Sequence, residues 1–327
     1  MIAVDFHAHL IDPEVYAETQ RWSIFAQTTN DPKLNEKTRQ QLQMRSAAVI
    51  ASMADLDERI AAMDGMDVAI QVLSSSLVHQ CTYDAEPADA LRLDRLMNDR
   101  VATAVASRPD RFRGFGSVPL QSPDLATQEM TRCMREMNLS GVTISTRVRD
   151  LEIGDRSLRP FWETAEDLGA VVFIHPAGNH DTRFRKFQLW NSIGQSLEEA
   201  MAISSLFYEG ILDAYPRLKV VVSHGGGYMP YYLGRIARNY LEKPATRINM
   251  SKAPIDYVRM LSYDTCVYDD DTLDRLISIV GSERIVMGSD YPIGDAKPVD
   301  FLRNCTRLDV AGQNAILSGN AMQLLTA

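Results

Sequence analysis

Cysteine is scarce in this chain of 327 residues, and its four cysteines lie far apart. None of them forms a Cys-x-x-Cys pair, so the spacing argues against both a structural zinc site and a disulfide framework. Long apolar runs are also missing, because no stretch approaches the roughly 18 apolar residues of a membrane helix. The first residues lack the basic and apolar regions of a signal peptide. We therefore expect a cytoplasmic protein without a membrane partner.

Basic residues are also few relative to acidic residues. The 43 acidic residues outnumber the 34 basic residues, which gives a formal net charge of −9. Such a chain is repelled by phosphate backbones, so the composition argues against a nucleic-acid partner. The sequence also lacks repeats, low-complexity tracts and linkers rich in proline or glycine. We therefore expect a single domain over residues 1–327, with enough apolar residues for one large core.

Apolar runs that are typical of buried strands instead alternate with helical segments. The predicted strands begin with the run 2–4 and continue at 68–73, 112–118, 141–145, 170–174, 218–222, 261–267 and 285–287. This alternation predicts an α/β fold, a (β/α)8 TIM barrel. The alternative is a doubly wound open sheet, but no Gly-x-Gly-x-x-Gly follows the first strand.

Three further segments carry structural expectations. Residues 11–53 have no clear period, and we expect an insertion of irregular or short helical structure at the barrel mouth. The pattern over residues 196–214 predicts one continuous helix. Two further helices are expected at the C-terminus.

Four of the six histidines lie where predicted strands end. His7 and His9 end the first strand on one face, because strand side chains alternate. His175 ends the fifth strand, His224 follows the sixth, and Asp290 follows the eighth. Since the carboxyl ends of barrel strands converge on one mouth, we expect these side chains to meet. Three imidazoles and a carboxylate, from His7, His9, His175 and Asp290, suit one Zn²⁺ ion, with Mn²⁺ or Co²⁺ as alternatives.

His224 is surplus to that ligand set, which favours a role as a general acid or base. Asp264, near the end of the seventh strand, is a candidate for orienting His224 from behind the ligands. His79 belongs to no motif and is expected to be structural. Further candidates for contacts with a substrate are Trp190, Phe187 and His180.

The segments Phe-His-Ala-His, Phe-Ile-His-Pro, Ser-His-Gly-Gly-Gly and Gly-Ser-Asp-Tyr-Pro together resemble the amidohydrolase superfamily. Over nearly the whole chain they are similar to the branch that contains aminocarboxymuconate-semialdehyde decarboxylase and the nonoxidative aromatic acid decarboxylases. Members with two metals often bridge them with a modified lysine on strand four. That strand here ends Thr143-Ile-Ser-Thr146, which implies one metal. The intact His-x-His is closer to the zinc-dependent type than to members that begin with a glutamate.

The resemblance also implies substrate contacts and assembly. Arg235 matches an arginine that reaches a substrate carboxylate across a dimer interface, so a homodimer or a multiple of one is expected. Arg45 lies near the place of a second substrate-binding arginine. Ala177 stands where the muconate-semialdehyde enzyme has an aromatic residue after His-Pro. The resemblance therefore does not identify which acid is the substrate.

The expected function is a metal-dependent nonoxidative decarboxylase of a small aromatic, heteroaromatic or muconate-type carboxylic acid in a catabolic pathway. Asp290 is expected to deliver a proton to the carbon that loses CO₂. One alternative is a metal-dependent hydrolase or hydratase that acts on a lactone, an amide or a ring-fission product at the same site. A non-catalytic metal-binding barrel is the other.

Overall fold

A computed structural model of the chain describes residues 2–31, 33–179, 181–305 and 307–326. Its strands are short and, in the central sheet, almost wholly buried. In chain order they are β1 (Val4–Leu10), β2 (Ile70–Ser75), β3 (Phe112–Ser117), β4 (Gly141–Ile144), β5 (Arg147–Val148), β6 (Leu151–Glu152), β7 (Val171–Ile174), β8 (Lys219–Val222), β9 (Ser262–Asp264) and β10 (Ile285–Val286).

Eight of these strands form one parallel sheet in the order β1-β2-β3-β4-β7-β8-β9-β10, while β5 and β6 form a small antiparallel hairpin. The ends of the sheet meet, because the Phe6 amide donates to the Met287 carbonyl at 2.8 Å and the His9 amide to the Tyr291 carbonyl at 3.0 Å. The sheet therefore closes into a (β/α)8 barrel, as the alternation predicted.

Helices connect the strands and cover the outside of the barrel. In chain order they are α1 (Pro13–Thr19), α2 (Ile24–Thr29), α3 (Glu36–Ala54), α4 (Leu56–Gly65), α5 (Pro87–Ser107), α6 (Pro123–Arg135), α7 (Arg159–Leu168), α8 (Ser196–Tyr208), α9 (Ile211–Ala214), α10 (Leu233–Glu242), α11 (Pro254–Val258), α12 (Asp270–Val280), α13 (Pro298–Asn304), α14 (Val310–Asn314) and α15 (Asn320–Thr326). Five of them begin at proline. Its fixed φ is already helical, and it lacks an N–H group at a position where that group would have no partner within the helix.

The insertion at residues 11–53 is more helical than we expected. It holds two short helices and then α3, which runs for 19 residues without proline or glycine. Asn35 begins α3 by accepting a hydrogen bond from the Thr38 amide at 2.9 Å. Met53 is the one buried residue of α3. Polar and apolar residues are therefore not separated onto two faces, which is why the sequence shows no helical period there.

Residues 196–214 form two helices rather than the single helix we expected. Gly210 lies between α8 and α9 at a φ of 72°, a left-handed conformation that ends helices and that glycine adopts without strain. A Cβ at this position would lie 2.9 Å from the Asn249 carbonyl oxygen. The break is therefore fixed both by backbone conformation and by a close neighbour.

Two apolar layers support the barrel mouth. Inside the barrel, the rings of Phe6, Phe115 and Phe173 pack with centroids 5.4 to 6.3 Å apart. Outside, a larger apolar core fills the space between the strands and the helices. In the described parts of the chain, no helix is long and apolar enough to span a membrane.

Candidate active site

The alternation of side chains along β1 is interrupted, and as a result two histidines point into the barrel mouth. Phe6 packs inside the barrel, whereas Ala8 packs outside it, although strict alternation would place both on one face. The pairing of β1 with β2 shifts between Asp5 and Ala8, where β1 holds one extra residue. The extra residue reverses the faces beyond it, so His7 and His9 both point inside. Their rings are perpendicular, with centroids 5.0 Å apart.

Nitrogen and oxygen atoms from four strand ends converge at this point. The Nε2 atoms of His7 and His9 lie 3.2 Å apart, and Asp290 Oδ1 lies 3.3 Å from the first and 3.0 Å from the second. Ligands about 2.0–2.1 Å from a tetrahedral zinc ion are separated by roughly 3.3 Å, so these spacings fit a shared ion. Ligand atoms of His7, His175, His224 and Asp290 also all lie within 4.8 Å of one another. The structure thus brings together the four residues expected to hold a metal, and His224 with them.

The outer nitrogens of two of these histidines are already bonded. His7 Nδ1 lies 2.6 Å from Asp264 Oδ2, and His175 Nδ1 lies 3.0 Å from the Pro176 carbonyl oxygen. Both acceptors lack hydrogens to donate, so each Nδ1 carries a proton and Nε2 is the ring nitrogen left to face the cluster. A hydrogen bond from the second ring nitrogen to a carboxylate or carbonyl is typical of histidines that bind metal. The donor set therefore fits a divalent ion.

Asp264 does not orient His224 as we expected. Its carboxylate contacts His7 and accepts a hydrogen bond from the Gly225 amide at 3.1 Å. The reason is topological, because β9 ends beside β10, and β10 meets β1 where the barrel closes. Asp264 thus lies behind a proposed ligand rather than behind the proposed acid or base.

The electrostatics of the cluster favour a cation. Burial lowers the pKa of His7, but Asp290 and Asp264 outweigh it and raise that pKa to about 9. Burial opposes ionisation of Asp290, yet His7 and His224 hold its pKa well below its usual range. Two buried carboxylates therefore draw positive charge into the site. A divalent ion meets the same need, and it binds carboxylates and neutral imidazoles.

His224 is held by a carboxylate that the sequence patterns did not reveal. Glu199 is buried on α8, and its Oε1 lies 2.5 Å from His224 Nδ1 and accepts from Ser223 Oγ at 2.6 Å. On the other side of the ring, His224 Nε2 lies 3.9 Å from Asp290 Oδ2. Burial lowers the pKa of His224, but Glu199 and Asp290 raise it well above its ordinary value. His224 therefore holds a proton beside Asp290.

A second carboxylate without a predicted role, Asp5, fixes the turn that carries Asp290. Its two oxygens accept from the Ser289 amide at 2.9 Å, from Ser289 Oγ at 2.6 Å and from Gln71 Nε2 at 2.8 Å. The Asp290 amide in turn donates to the His7 carbonyl at 2.9 Å. Asp290 adopts a φ of 57°, a conformation that aspartate tolerates better than most residues. These bonds hold its carboxylate against the histidines.

A cavity of about 210 Å³ opens onto the cluster. Trp190 and Arg45, two of the residues expected to contact substrate, both line it. A second cavity of about 620 Å³ shares Arg45, His224 and Asp290 with the first and extends towards Tyr228. The candidate active site is therefore a small chamber beside the cluster that is continuous with a wider opening.

Two other predicted contacts, both in the described part of the chain, do not line either cavity. Phe187 is 86% exposed, so the expectation that it forms part of the pocket wall is wrong for this chain. It has a φ of 57°, and this break in the backbone accompanies a side chain that points to solvent. Arg235 is exposed on α10 and is absent from the described lining. His180 lies outside the described residues.

Comparison with known proteins gives the family. The sequence model of the family described as Amidohydrolase matches residues 4–326. The chain is 31% identical over 331 residues to 2-amino-3-carboxymuconate-6-semialdehyde decarboxylase of Dictyostelium discoideum, and the match covers 99% of this chain and 91% of that protein. It is 30% identical to gamma-resorcylate decarboxylase of Polaromonas sp., with 82% of this chain and 86% of that one covered.

A solved structure gives the same picture of the fold. Dihydroxybenzoic acid decarboxylase from Polaromonas sp., with bound manganese and the inhibitor 2-nitroresorcinol, aligns with a TM-score of 0.83 at 24% identity. The alignment covers 99% of this chain and 96% of that one. Together with the family model, which matches nearly the whole chain, the relatives show that the chain belongs to the amidohydrolase family, in the branch of the aminocarboxymuconate-semialdehyde and gamma-resorcylate decarboxylases.

Proposed function

We propose that the protein is a metal-dependent nonoxidative decarboxylase of a small aromatic, heteroaromatic or muconate-type acid, and that it acts in a cytoplasmic catabolic pathway as a single-domain barrel. The observation that carries the proposal is the His–Asp cluster, with His224, at the wall of a cavity of about 210 Å³. Pockets for drug-sized ligands measure roughly 300–1,000 Å³, so this chamber suits a small acid. The names of the two relatives support the same reaction.

In this proposal His7, His9, His175 and Asp290 hold one divalent ion. Imidazole nitrogens favour zinc, and the manganese in the Polaromonas enzyme makes manganese the alternative. When bound, the ion supplies positive charge that holds the substrate and stabilises negative charge in the transition state. Arg45, at the junction of the two cavities, binds a carboxylate through paired N–H groups.

The protein's own residues move the proton. Loss of CO₂ leaves an electron pair on carbon, and a proton must replace the carboxyl group there. Asp290 is ionised in this site, so it must first receive the proton that it delivers. His224 is the donor in reach, because its Nε2 lies 3.9 Å from Asp290 Oδ2. Glu199 stabilises the protonated imidazole from the opposite side.

The test of this function is a panel of aromatic acids, heteroaromatic acids and ring-fission products, scored for released CO₂ while bound metal is measured. We expect CO₂ from at least one acid, in proportion to metal content. Consumption of a lactone, amide or ring-fission product without CO₂ would favour the hydrolase or hydratase. No turnover at full metal occupancy would favour a non-catalytic barrel.

We also propose that the active enzyme is a homodimer in which Arg235 serves the site of the neighbouring chain. No described residue forms an ion pair or hydrogen bond with its guanidinium, and it faces neither cavity of its own chain. Exposed apolar side chains flank it along α10, with Tyr232 just before the helix at 64% and Leu241 near its end at 70%. Exposed aromatic and aliphatic side chains beside an arginine are typical of interface cores.

Mixing two inactive variants should restore activity if Arg235 acts across the interface. A mixed dimer of a His175→Ala chain and an Arg235→Ala chain holds one site with both defects and one with neither. Random exchange then gives about one quarter of wild-type activity, because half of the dimers are mixed and each has one intact site. The measurement is CO₂ release before and after subunit exchange.

Two controls frame this experiment. Mixing His175→Ala with His7→Ala should restore nothing, because both defects fall within one chain's own ligand set. Arg238→Ala on the same helix should keep its activity, since Arg238 pairs with Glu242 at 3.0 Å. A strictly monomeric protein, or no recovery under conditions that exchange subunits, would contradict the proposal.

A further inference from the structure

The two oxygens of the Asp290 carboxylate have different neighbours. Oδ1 lies 3.0 Å from His9 Nε2 and 3.3 Å from His7 Nε2, on the side of the proposed ligands. Oδ2 lies 3.9 Å from His224 Nε2 and 3.3 Å from the hydroxyl oxygen of Tyr268. The proposed reaction gives each oxygen its own task, because Oδ1 binds the ion and Oδ2 receives a proton. The hydroxyl group of Tyr268 therefore contacts the oxygen that handles the proton.

Tyr268 directs its hydroxyl group inward although much of the residue is exposed. It follows β9, lines the wider cavity and is 55% exposed, yet its hydroxyl group donates a hydrogen bond to the buried Asp290. An exposed tyrosine ordinarily covers apolar surface with its ring and leaves its polar tip in water. Here the polar tip meets a carboxylate instead. The orientation of the side chain is therefore explained by this bond rather than by burial of the ring.

The backbone on both sides of the contact is adapted to it. Tyr268 has a φ of 57°, in the left-handed region that bulky residues rarely adopt, and such conformations are often found at functional sites. Gly294, in the turn after β10, does not adopt a positive φ. A Cβ there would lie 2.4 Å from the Ser289 carbonyl oxygen and 2.6 Å from the Tyr268 hydroxyl oxygen. Glycine at this position thus leaves the space through which the hydroxyl group reaches the carboxylate.

The carboxylate needs a partner of this kind. Rotation about the bond between Cβ and Cγ of aspartate is only weakly restricted, and carboxylates bind cations through one oxygen or through both. An oxygen that is bound to the ion is a poor acceptor for a proton. We propose, on the basis of the proposed function, that Tyr268 is a positioning residue whose hydroxyl group keeps Asp290 Oδ2 away from the ion and beside His224.

The first test measures coordination rather than turnover. Wild-type protein and Tyr268→Phe are loaded with Co²⁺ alone, and their visible absorption spectra are compared at equal metal content. The substitution removes one oxygen and keeps the ring, at an exposed position where phenylalanine should not disturb folding. We expect the bands to change in position and intensity, because the freed Oδ2 joins the coordination shell or displaces bound water.

Turnover provides a second readout. In Tyr268→Phe, kcat should fall by roughly 10- to 100-fold, the usual effect of losing a residue that orients a ligand, while KM stays within about threefold. The fall should depend on His224. In His224→Asn, which already lacks the proton donor, the addition of Tyr268→Phe should lower kcat by only about threefold or less, because residues that act on one step are not additive.

Tyr231→Phe is the matched control. Tyr231 follows the turn after β8, and its buried hydroxyl group has no hydrogen-bond partner among the described residues. The chemical change is the same removal of one oxygen, but no bond to a carboxylate is lost. The Co²⁺ spectrum and kcat of this variant should therefore stay close to those of wild type.

The outcomes distinguish this inference from the proposed function. Identical Co²⁺ spectra of wild type and Tyr268→Phe, an unchanged kcat, or a fall in kcat that is as large in His224→Asn as in wild type overturns the role of Tyr268 even if the protein releases CO₂. A spectrum that changes in Tyr268→Phe but not in Tyr231→Phe supports that role even if no acid is decarboxylated, in which case the proposed reaction alone fails.

Discussion

Replacing His175 by alanine is expected to remove both the bound metal and all measurable turnover. The imidazole is buried, and its Nδ1 bonds the Pro176 carbonyl, so Nε2 has no other evident role than to face the cluster. Its loss removes one of the four proposed ligands and leaves a gap in a coordination shell whose remaining ligands are fixed for four. We expect metal affinity to fall by at least about 100-fold, larger than typical effects of residues behind the ligands. The measurement is metal content after dialysis, alongside CO₂ release.

Chelation of the wild-type protein provides the matched control. Exhaustive removal of metal should abolish turnover, and added Zn²⁺ or Mn²⁺ should restore it in wild type but not in His175→Ala. The better of the two ions then identifies the metal that the site uses. Full activity in a protein shown to be free of metal would end the proposal of a metal-dependent reaction.

The barrel and the position of the cluster were predictable because they depend on local patterns. Apolar runs such as Val171–Ile174 are buried on both faces, and the predicted strands that carry candidate site residues carry them at the same end. Closing the sheet then brings the ends of β1 and β10 together, although His7 and Asp290 are far apart in sequence. The sequence pattern and the rule for barrel mouths were sufficient for that step.

The residues that support the cluster were not predictable in the same way. Glu199 is one of two adjacent glutamates on α8, and only the packing of α8 beneath the turn after β8 decides that it, rather than Glu198, meets His224. The partner of Asp264 likewise depends on where the barrel closes. His79 has no motif, because α2 and the turn after β2 form its surroundings together. Contacts of this kind arise from tertiary packing, which a single sequence does not display.

Replacing His224 by asparagine is expected to leave the metal bound and to slow the reaction by roughly 10²–10⁴-fold, the usual effect of losing a general acid or base. Asparagine keeps an N–H group that can donate to Glu199, so the buried carboxylate retains a partner, whereas the group that holds a proton near neutral pH is removed. The measurements are kcat under saturating substrate and metal content of the same preparation.

This variant also decides between two roles that the distances alone permit. Ligand atoms of His224, His7, His175 and Asp290 lie within 4.8 Å of one another, which is close enough for His224 to bind the ion itself. Its bond to Glu199 resembles the hydrogen bond that joins His7 to Asp264, so geometry alone permits either role, and metal content decides between them. If His224→Asn loses metal as completely as His175→Ala, then His224 is a ligand and another group must supply the proton. If metal is retained while kcat falls, His224 holds the proton that Asp290 passes to carbon.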